Sequence, residues 1–342
     1  MTSPLRLRLD SDALAANWRT LAAMSGRAAC GAAVKADGYG LGAFEVARRL
    51  AAAGCRDFFV ATWAEAEALA PLGLQLSVLH GVRDEDMASA LSGIARPVLN
   101  TSAQVARWKA AGGGTCDVMV DTGMNRLGLS VEEVASGLPG GLTIETLMSH
   151  LACADEDVAM NGRQQAAFAA LAGRTSARRM SLANSAGIGL GADYAFDLTR
   201  PGLALYGGVP REAFAGRIRQ VAYPEAQVIQ RRRVAPGETI GYNATFAATA
   251  PTEVAILNLG YADGYWRGFS GRGAALDVGR RLPVLGRVSM DLVAIGIDAE
   301  PGLREGDWLA LDYSLPAAAE ASGMSQYELL TGLGARFDRT WV

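Results

Sequence analysis

Between residues 11 and 217, short apolar runs alternate eight times with longer amphipathic stretches, and this alternation most limits what the chain can fold into. The runs span 28–34, 57–61, 74–80, 96–100, 117–121, 143–150, 179–184 and 196–199. Each has strand length, and the segments between them carry helical spacing, as with Phe44, Ala47, Leu50 and Ala51. Asp10 or Ser11 is placed to cap the first helix, whose apolar face includes Leu14, Trp18 and Leu21. Eight strand–helix alternations predict a parallel sheet closed into a (β/α)8 barrel, with an open doubly wound sheet as the competing arrangement. No dinucleotide fingerprint follows a strand, because Gly38, Gly40 and Gly42 have the wrong spacing.

After about residue 218 the helical periodicity fades. Turn signals such as Pro236-Gly237 and Pro301-Gly302 separate short runs at 252–259, 274–278, 292–297 and 308–311. The division is therefore a barrel over 11–217 and a mostly β domain over 218–342. The alternating Leu5, Leu7 and Leu9 within 1–10 are available to pair with the latter.

Composition narrows the classes. Hydrophobic residues make up 50% and charged residues 20% of the 342, as in a globular protein with a substantial core. A net charge of −3 and short, isolated clusters such as Arg231-Arg232-Arg233, Arg178-Arg179 and Arg280-Arg281 argue against a nucleic-acid partner. No uncharged apolar run reaches the ~18 residues of a membrane span. The Leu/Arg alternation at the start is a strand pattern and not a secretory signal. Four scattered cysteines (Cys30, Cys55, Cys116, Cys153) and two histidines offer no metal site; the thiols read as buried and reduced, which implies a cytoplasmic setting.

In such a barrel, chemistry gathers where strands end. Lys35 closes the first run over a glycine-rich turn, Arg126 follows the fifth, and His150 closes the sixth. Asn184-Ser185 close the seventh, and Arg200 follows the eighth, with Gly202 and Leu203 offering backbone N–H groups. One amine, two guanidiniums, a histidine and several hydroxyl or N–H donors, without a carboxylate pair for a metal, suit a planar phosphorylated aldehyde held by Schiff-base chemistry: pyridoxal 5'-phosphate. A lone strand-end lysine more often just projects into water, and His80, Tyr194, Tyr206, Met119 and Met124 read as structural.

Nine segments carry a resemblance: VKADGYG (34–40), DTGMNRLG (121–128), SHLACADED (149–157), ANSAG (183–187), RPGLALYG (200–207), GYNATF (241–246), GYADGY (260–265), GRVSMD (286–291) and YELL (327–330). In this order they resemble the alanine racemase family, fold type III of the pyridoxal-phosphate enzymes. The resemblance implies interconversion of L- and D-alanine, with D-alanine supplied for cell-wall peptidoglycan by a homodimer with shared sites. By it, Lys35 carries the cofactor and acts as one base; Tyr39, Ser185, Gly202, Leu203 and Tyr327 bind its phosphate. Arg126 contacts cofactor and substrate carboxylate, His150 lies beside the ring, and Arg200 bonds the ring nitrogen. Tyr242 is the second base, given by the partner protomer, from which Tyr261, Met290 and Asp291 also close the site. Arg267, Arg287 and Asp155 line the entrance.

The chemistry is consistent with that implication. Racemisation needs proton transfer on opposite faces of Cα, and an amine and a phenol, both near pKa ~10 in water, are a workable pair once lowered. An arginine at the ring nitrogen holds its own proton, which limits side reactions such as transamination.

Two positions depart from the family pattern. Met119 stands where many members have a carbamylated lysine that orients the arginine of the following loop, so another group or an anion must orient Arg126. Ser181 stands where a histidine often supports the ring-nitrogen arginine, and its shorter reach calls for a bridging water. The rival readings are a broader amino-acid racemase, a fold-type III decarboxylase, and a non-enzymatic cofactor-binding protein built on the barrel alone.

Overall fold

The computed structural model describes residues 3–138 and 141–342. The chain divides into two compact units: Leu14–Arg219, and Gln220–Val342 together with the residues up to Ala13.

Eight parallel strands build the first unit: Ala29–Cys30 continued by Ala32–Ala33, then Asp57–Val60, Gln75–Val78, Arg96–Leu99, Cys116–Asp121, Ile144–Met148, Arg179–Ser181 and Leu198–Thr199. Neighbours pair in sequence order from the first to the seventh. The eighth strand closes the ring. Asp197 and Arg200 donate N–H bonds to Met180 and Ala183 of the seventh (3.0 and 2.8 Å), while Ala29, Gly31 and Ala33 of the first donate to Asp197, Thr199 and Pro201 (2.9, 2.9 and 2.8 Å). This is the expected closed barrel, and the open sheet is excluded. Gly31, between the two halves of the first strand, admits no side chain: a Cβ there would stand 2.8 Å from the Asp57 carbonyl oxygen.

The strands are buried on both faces because helices cover one side and barrel side chains fill the other. All four residues of Asp57–Val60 are buried. Asp10 caps the first helix (Ser11–Met24): its Oδ1 accepts the Ala13 N–H at 2.7 Å. The helix Ala43–Ala53 buries Val46, Ala47 and Leu50, whereas Phe44, expected on that face, is exposed.

The second unit is an antiparallel sheet organised by one long strand, Ala222–Val234, absent from the sequence expectation. Its first half pairs with Leu5–Leu9 and Trp308–Leu311. Its second half, beyond an irregularity at Val228/Gln230, pairs with Thr252–Leu257. Ring closure then runs through Val293–Gly296, Arg280–Leu285 and Ala274–Asp277 back to Trp308–Leu311. Asp338–Trp341 lies parallel to Leu5–Leu9, so the alternating leucines do join this unit. Pro224 and the Arg231-Arg232-Arg233 run hide the long strand from sequence reasoning, although Ala222, Pro224, Ala226 and Val228 alternate as buried positions. Two short helices, Leu315–Ser322 and Gln326–Thr331, belong to the same unit.

An ion network that the sequence did not reveal fills the barrel at the strand starts, opposite the rim where strands end. Asp57 opens the second strand and takes a two-pronged bond from Arg179, which opens the seventh (3.1 and 2.7 Å). Arg96 opens the fourth and lies 3.5 Å from Asp117, which is fully buried and also accepts from Ser77 Oγ (2.6 Å) and Thr146 N–H (3.0 Å). Removing one member strands a charge away from water. Asp57→Ala is expected to lower the unfolding free energy by about 3 kcal/mol in urea titration; a loss below about 1 kcal/mol would show that the network contributes little to stability.

Candidate active site

Lys35 ends the first barrel strand, and the chain behind it turns the unusual way. Ala36, Asp37, Gly38 and Tyr39 have φ of 53°, 53°, 61° and 57°, followed by Gly40 at 84°. This is a turn of left-handed helix, closed by bonds from Gly38 N–H to Val34 O and Gly40 N–H to Ala36 O (both 2.9 Å). Each non-glycine residue in it costs about 1–2 kcal/mol, so surrounding contacts must hold it. Glu65 Oε1 accepts the Ala36 N–H at 2.8 Å, and Asp37 Oδ1 accepts the Ala43 N–H at 2.8 Å. Tyr39 stacks on Tyr206 (4.6 Å between centroids), whose hydroxyl donates to Ala33 O.

The turn leaves the Lys35 side chain half-buried at the rim, with no hydrogen bond or ion pair within the described residues of the barrel unit. Burial, first, then the Arg126 charge lower its pKa from the usual lysine value; Glu65 opposes them and Arg200 adds to the lowering. An unpaired amine with a depressed pKa is a nucleophile in waiting.

Arg200 is 6% exposed and carries its charge without an acid in contact. Its guanidinium donates to Ser181 Oγ and to the Ser149 carbonyl, while the Ser181 hydroxyl donates onward to Leu198 O. Ser181 therefore reaches the arginine directly, and the bridging water expected from its small size is not needed. Burial pushes the Arg200 pKa down to about 10, against the Asp117 charge that raises it. The guanidinium stays protonated at neutral pH.

Ser185 opens a short helix after the seventh strand, its hydroxyl accepting N–H bonds from Gly202 (2.9 Å) and Ala204 (3.1 Å). The Gly202 N–H is thus engaged in this structure, not free as expected, whereas the Leu203 N–H has no partner within the described residues of the barrel unit. Ala204 escaped sequence reasoning. A Cβ on Gly202 would collide with the Tyr39 hydroxyl, so glycine lets that hydroxyl lie against this backbone beside Ser185. Hydroxyl and N–H groups gathered this closely match a phosphate.

Arg126 lies in the loop after the fifth strand, where Asp121 accepts N–H bonds from Gly123, Met124 and Arg126 at 2.7, 2.8 and 2.8 Å. This fixes its backbone; the exposed guanidinium has no partner within the described residues of the barrel unit, and Met119 is buried in the strand behind. The buried Gln164 ties this loop to the next: its amide donates to Thr122 Oγ1 (3.2 Å) and His150 O (3.0 Å) and accepts from Ala152 N–H (2.8 Å). No motif pointed to it. His80, expected in the core or at the rim, is exposed, and Cys153 is only half-buried, unlike the other three thiols.

The second unit holds the remaining sequence candidates except Asp155, which is exposed in the barrel unit. Tyr261 and Ala262 donate N–H bonds to Ser289 O and Met290 O (both 3.0 Å), which brings Tyr261 beside Met290 and Asp291. Arg336 locks both segments, with bonds to Asp263 (2.6 and 2.8 Å) and Asp291 (2.8 Å). Arg267 lies over the Tyr261 ring. Tyr242 is 67% exposed, in a turn whose Asn243 and Ala244 have positive φ, and Tyr327 lies on Gln326–Thr331.

Burial, followed by Arg200, Arg126 and Lys35, pushes the His150 pKa from 6.5 down to about 3. Its folded value lies below its unfolded one, so between them the unfolded chain binds more protons and stability rises with pH. Acidifying the cofactor-free protein from about pH 6.5 to about pH 5 should therefore lower its melting temperature. His150→Gln should flatten that slope, and an identical slope in both proteins would place the acid sensitivity elsewhere.

Comparison with known proteins adds independent evidence. Residues 9–210 match the family profile described as alanine racemase, N-terminal domain, and residues 221–341 match alanine racemase, C-terminal domain. The alanine racemase of Acidiphilium cryptum is 42% identical over 348 residues, covering 97% of both chains. The catabolic alanine racemase of Agrobacterium fabrum is also 42% identical, over 98% of this chain and 92% of that one. The crystal structure of the Bartonella henselae alanine racemase, with covalently bound pyridoxal phosphate, superposes with a TM-score of 0.91 at 32% identity over the whole of both chains. With both halves of its length matched in order, this chain belongs to the alanine racemase family.

Proposed function

We propose that this protein interconverts L- and D-alanine with pyridoxal 5'-phosphate held on Lys35. The observation that carries the reading is the half-buried Lys35 amine, unpaired among the described residues of the barrel unit and with its pKa lowered by burial and by Arg126, on the same rim as the cluster of Tyr39, Ser185, Gly202 and Leu203. The donor set fits the cofactor: hydroxyl and N–H groups for a phosphate, and a buried guanidinium for a ring nitrogen. When bound, pyridoxal phosphate supplies an electron-withdrawing ring that makes the proton on the amino acid Cα labile.

The residues of the chain do the rest. Lys35 takes or returns a proton at Cα on one face. Tyr242, from a second copy of the chain, does so on the other, which is why its exposure supports the assignment and does not count against it. Arg126 binds the substrate carboxylate, its loop fixed by Asp121. Arg200 keeps its own proton, held by Ser181 and Ser149 O, and beside a ring nitrogen it would leave that nitrogen unprotonated. His150 stays neutral and would lie beside the ring of the bound cofactor. Tyr327 completes the phosphate site, and Tyr261, Met290 and Asp291 close the substrate pocket.

Shared sites require a homodimer, and the exposure of Tyr242, Met290 and Leu292 on the second unit supports one. We assign the cofactor to the barrel over 11–217 and the second base to the domain over 218–342 with 1–10. No helix among the described residues is long and apolar enough to cross a membrane, and the reading places the enzyme in the cytoplasm, making D-alanine for peptidoglycan. The departure at Met119 leaves Arg126 without a side-chain partner among the described residues of the barrel unit and favours a wider substrate range as the second reading.

Tyr242→Phe is expected to retain bound cofactor while racemisation falls by at least about a hundredfold, the usual contribution of a general base. Normal rates from both enantiomers would remove Tyr242 from the mechanism. Mixed Lys35→Ala and Tyr242→Phe proteins should regain activity through hybrid dimers, and no recovery after verified subunit exchange would contradict shared sites. Initial rates should favour L-alanine over L-serine and L-lysine; equal rates on a long basic substrate would favour the wider reading.

A further inference from the structure

Glu65 lies in the helix Trp63–Leu69 after the second barrel strand, where the Thr62-x-x-Glu65 spacing forms a capping box. A capping-box glutamate ordinarily turns back only to its own helix start. Here the carboxylate is shared between two loops. Oε2 accepts N–H bonds from Ala61 and Thr62 (2.6 and 3.3 Å), at the head of its own helix. Oε1 reaches sideways to the Ala36 N–H at 2.8 Å, the first peptide after Lys35 and the start of the left-handed turn. Both oxygens are used, and no arginine or lysine is paired with them among the described residues of the barrel unit.

The consequence is electrostatic as well as mechanical. The groups facing the Lys35 amine are Arg126 from the loop after the fifth strand, Arg200 from the eighth and the neutral His150 from the sixth. Its own turn adds Asp37, whose carboxylate is turned to the Ala43 N–H, and Tyr39. Among these Glu65 is the acid that acts on the amine, raising a pKa that burial and the two guanidiniums lower.

We propose that Glu65 is a positioning residue for the reactive amine: it staples the left-handed turn behind Lys35 to the adjacent loop and supplies the negative charge that balances Arg126 and Arg200. The proposal rests on Lys35 being the cofactor lysine. If Lys35→Ala protein still racemises, that reading falls. Failure of the Glu65 role is read separately, from a titration that needs no turnover.

The chain has only two lysines, Lys35 and Lys109. Reductive methylation of the cofactor-free protein with 13C-formaldehyde thus gives two side-chain signals, assigned with Lys35→Ala and titrated by NMR. In Glu65→Gln the Lys35 midpoint should fall by about one pH unit while Lys109 is unmoved. Glu65→Asp, which keeps the charge on a shorter arm, should give a midpoint between Glu65→Gln and wild type. Thr62→Ala weakens the same helix cap without touching Ala36 or the charge, and should leave Lys35 at the wild-type midpoint. A merely structural Glu65 would predict the reverse: no Lys35 shift in Glu65→Gln, or an equal shift in Thr62→Ala. Either result overturns the proposal. Should Glu65→Gln not fold, Glu65→Asp alone decides, since a midpoint equal to wild type overturns it.

Discussion

Arg200 sets the terms for the barrel rim. Its guanidinium is buried among neutral oxygens, the Ser181 hydroxyl and the Ser149 carbonyl, without a carboxylate in contact. Such a charge is costly to keep away from water, and it persists only where every donor has an acceptor held in place. Three consecutive strands provide that: Ser149 follows the sixth, the seventh ends in Ser181, and the eighth presents Leu198 O, which accepts the Ser181 proton and so leaves a Ser181 lone pair for the arginine. One short side chain, placed where the barrel backbone can fix its proton, replaces the longer partner that the family pattern suggested.

The surplus of positive charge spreads from there. Burial first, and then the charges of Arg200 and Arg126, drive His150 neutral and lower the Lys35 amine, so the rim becomes a place for anions and for a nucleophilic nitrogen. A doubly charged phosphate, a phenolic oxygen and a substrate carboxylate are what such a surface accommodates. The strained turn after Lys35 has the same logic. Left-handed backbone at Ala36, Asp37 and Tyr39 is unfavourable by itself, yet contacts from Glu65, Ala43 and Tyr206 hold it.

Much of this was legible because barrel chemistry lies at strand ends, and strand ends can be read from where apolar runs stop. Lys35, Arg126, His150, Ser185 and Arg200 all came from that rule and all stand at one rim. What escaped was whatever depends on side chains meeting across the fold. Glu65 reads as an ordinary helix cap, since its second bond goes to a peptide distant in sequence. Gln164 is a buried polar residue on the helix Ala159–Ala169, with no motif around it. The Asp57–Arg179 pair joins the second strand to the seventh, which no local pattern reveals. In the second unit, Ala222–Val234 was hidden by a proline and three arginines, although half of it alternates. Its two ends pair with different neighbours, and only the closed sheet shows why one strand needs thirteen residues.

The central claim is that the cofactor is carried by Lys35. Loading the protein with pyridoxal phosphate, reducing it with borohydride and mapping the modified peptide by mass spectrometry tests this most directly, because Lys109 is the only other lysine in the chain. The account predicts the added mass on the peptide containing Lys35 and none on Lys109. A stoichiometric label on Lys109, or an unmodified Lys35 in protein that racemises alanine, would contradict it.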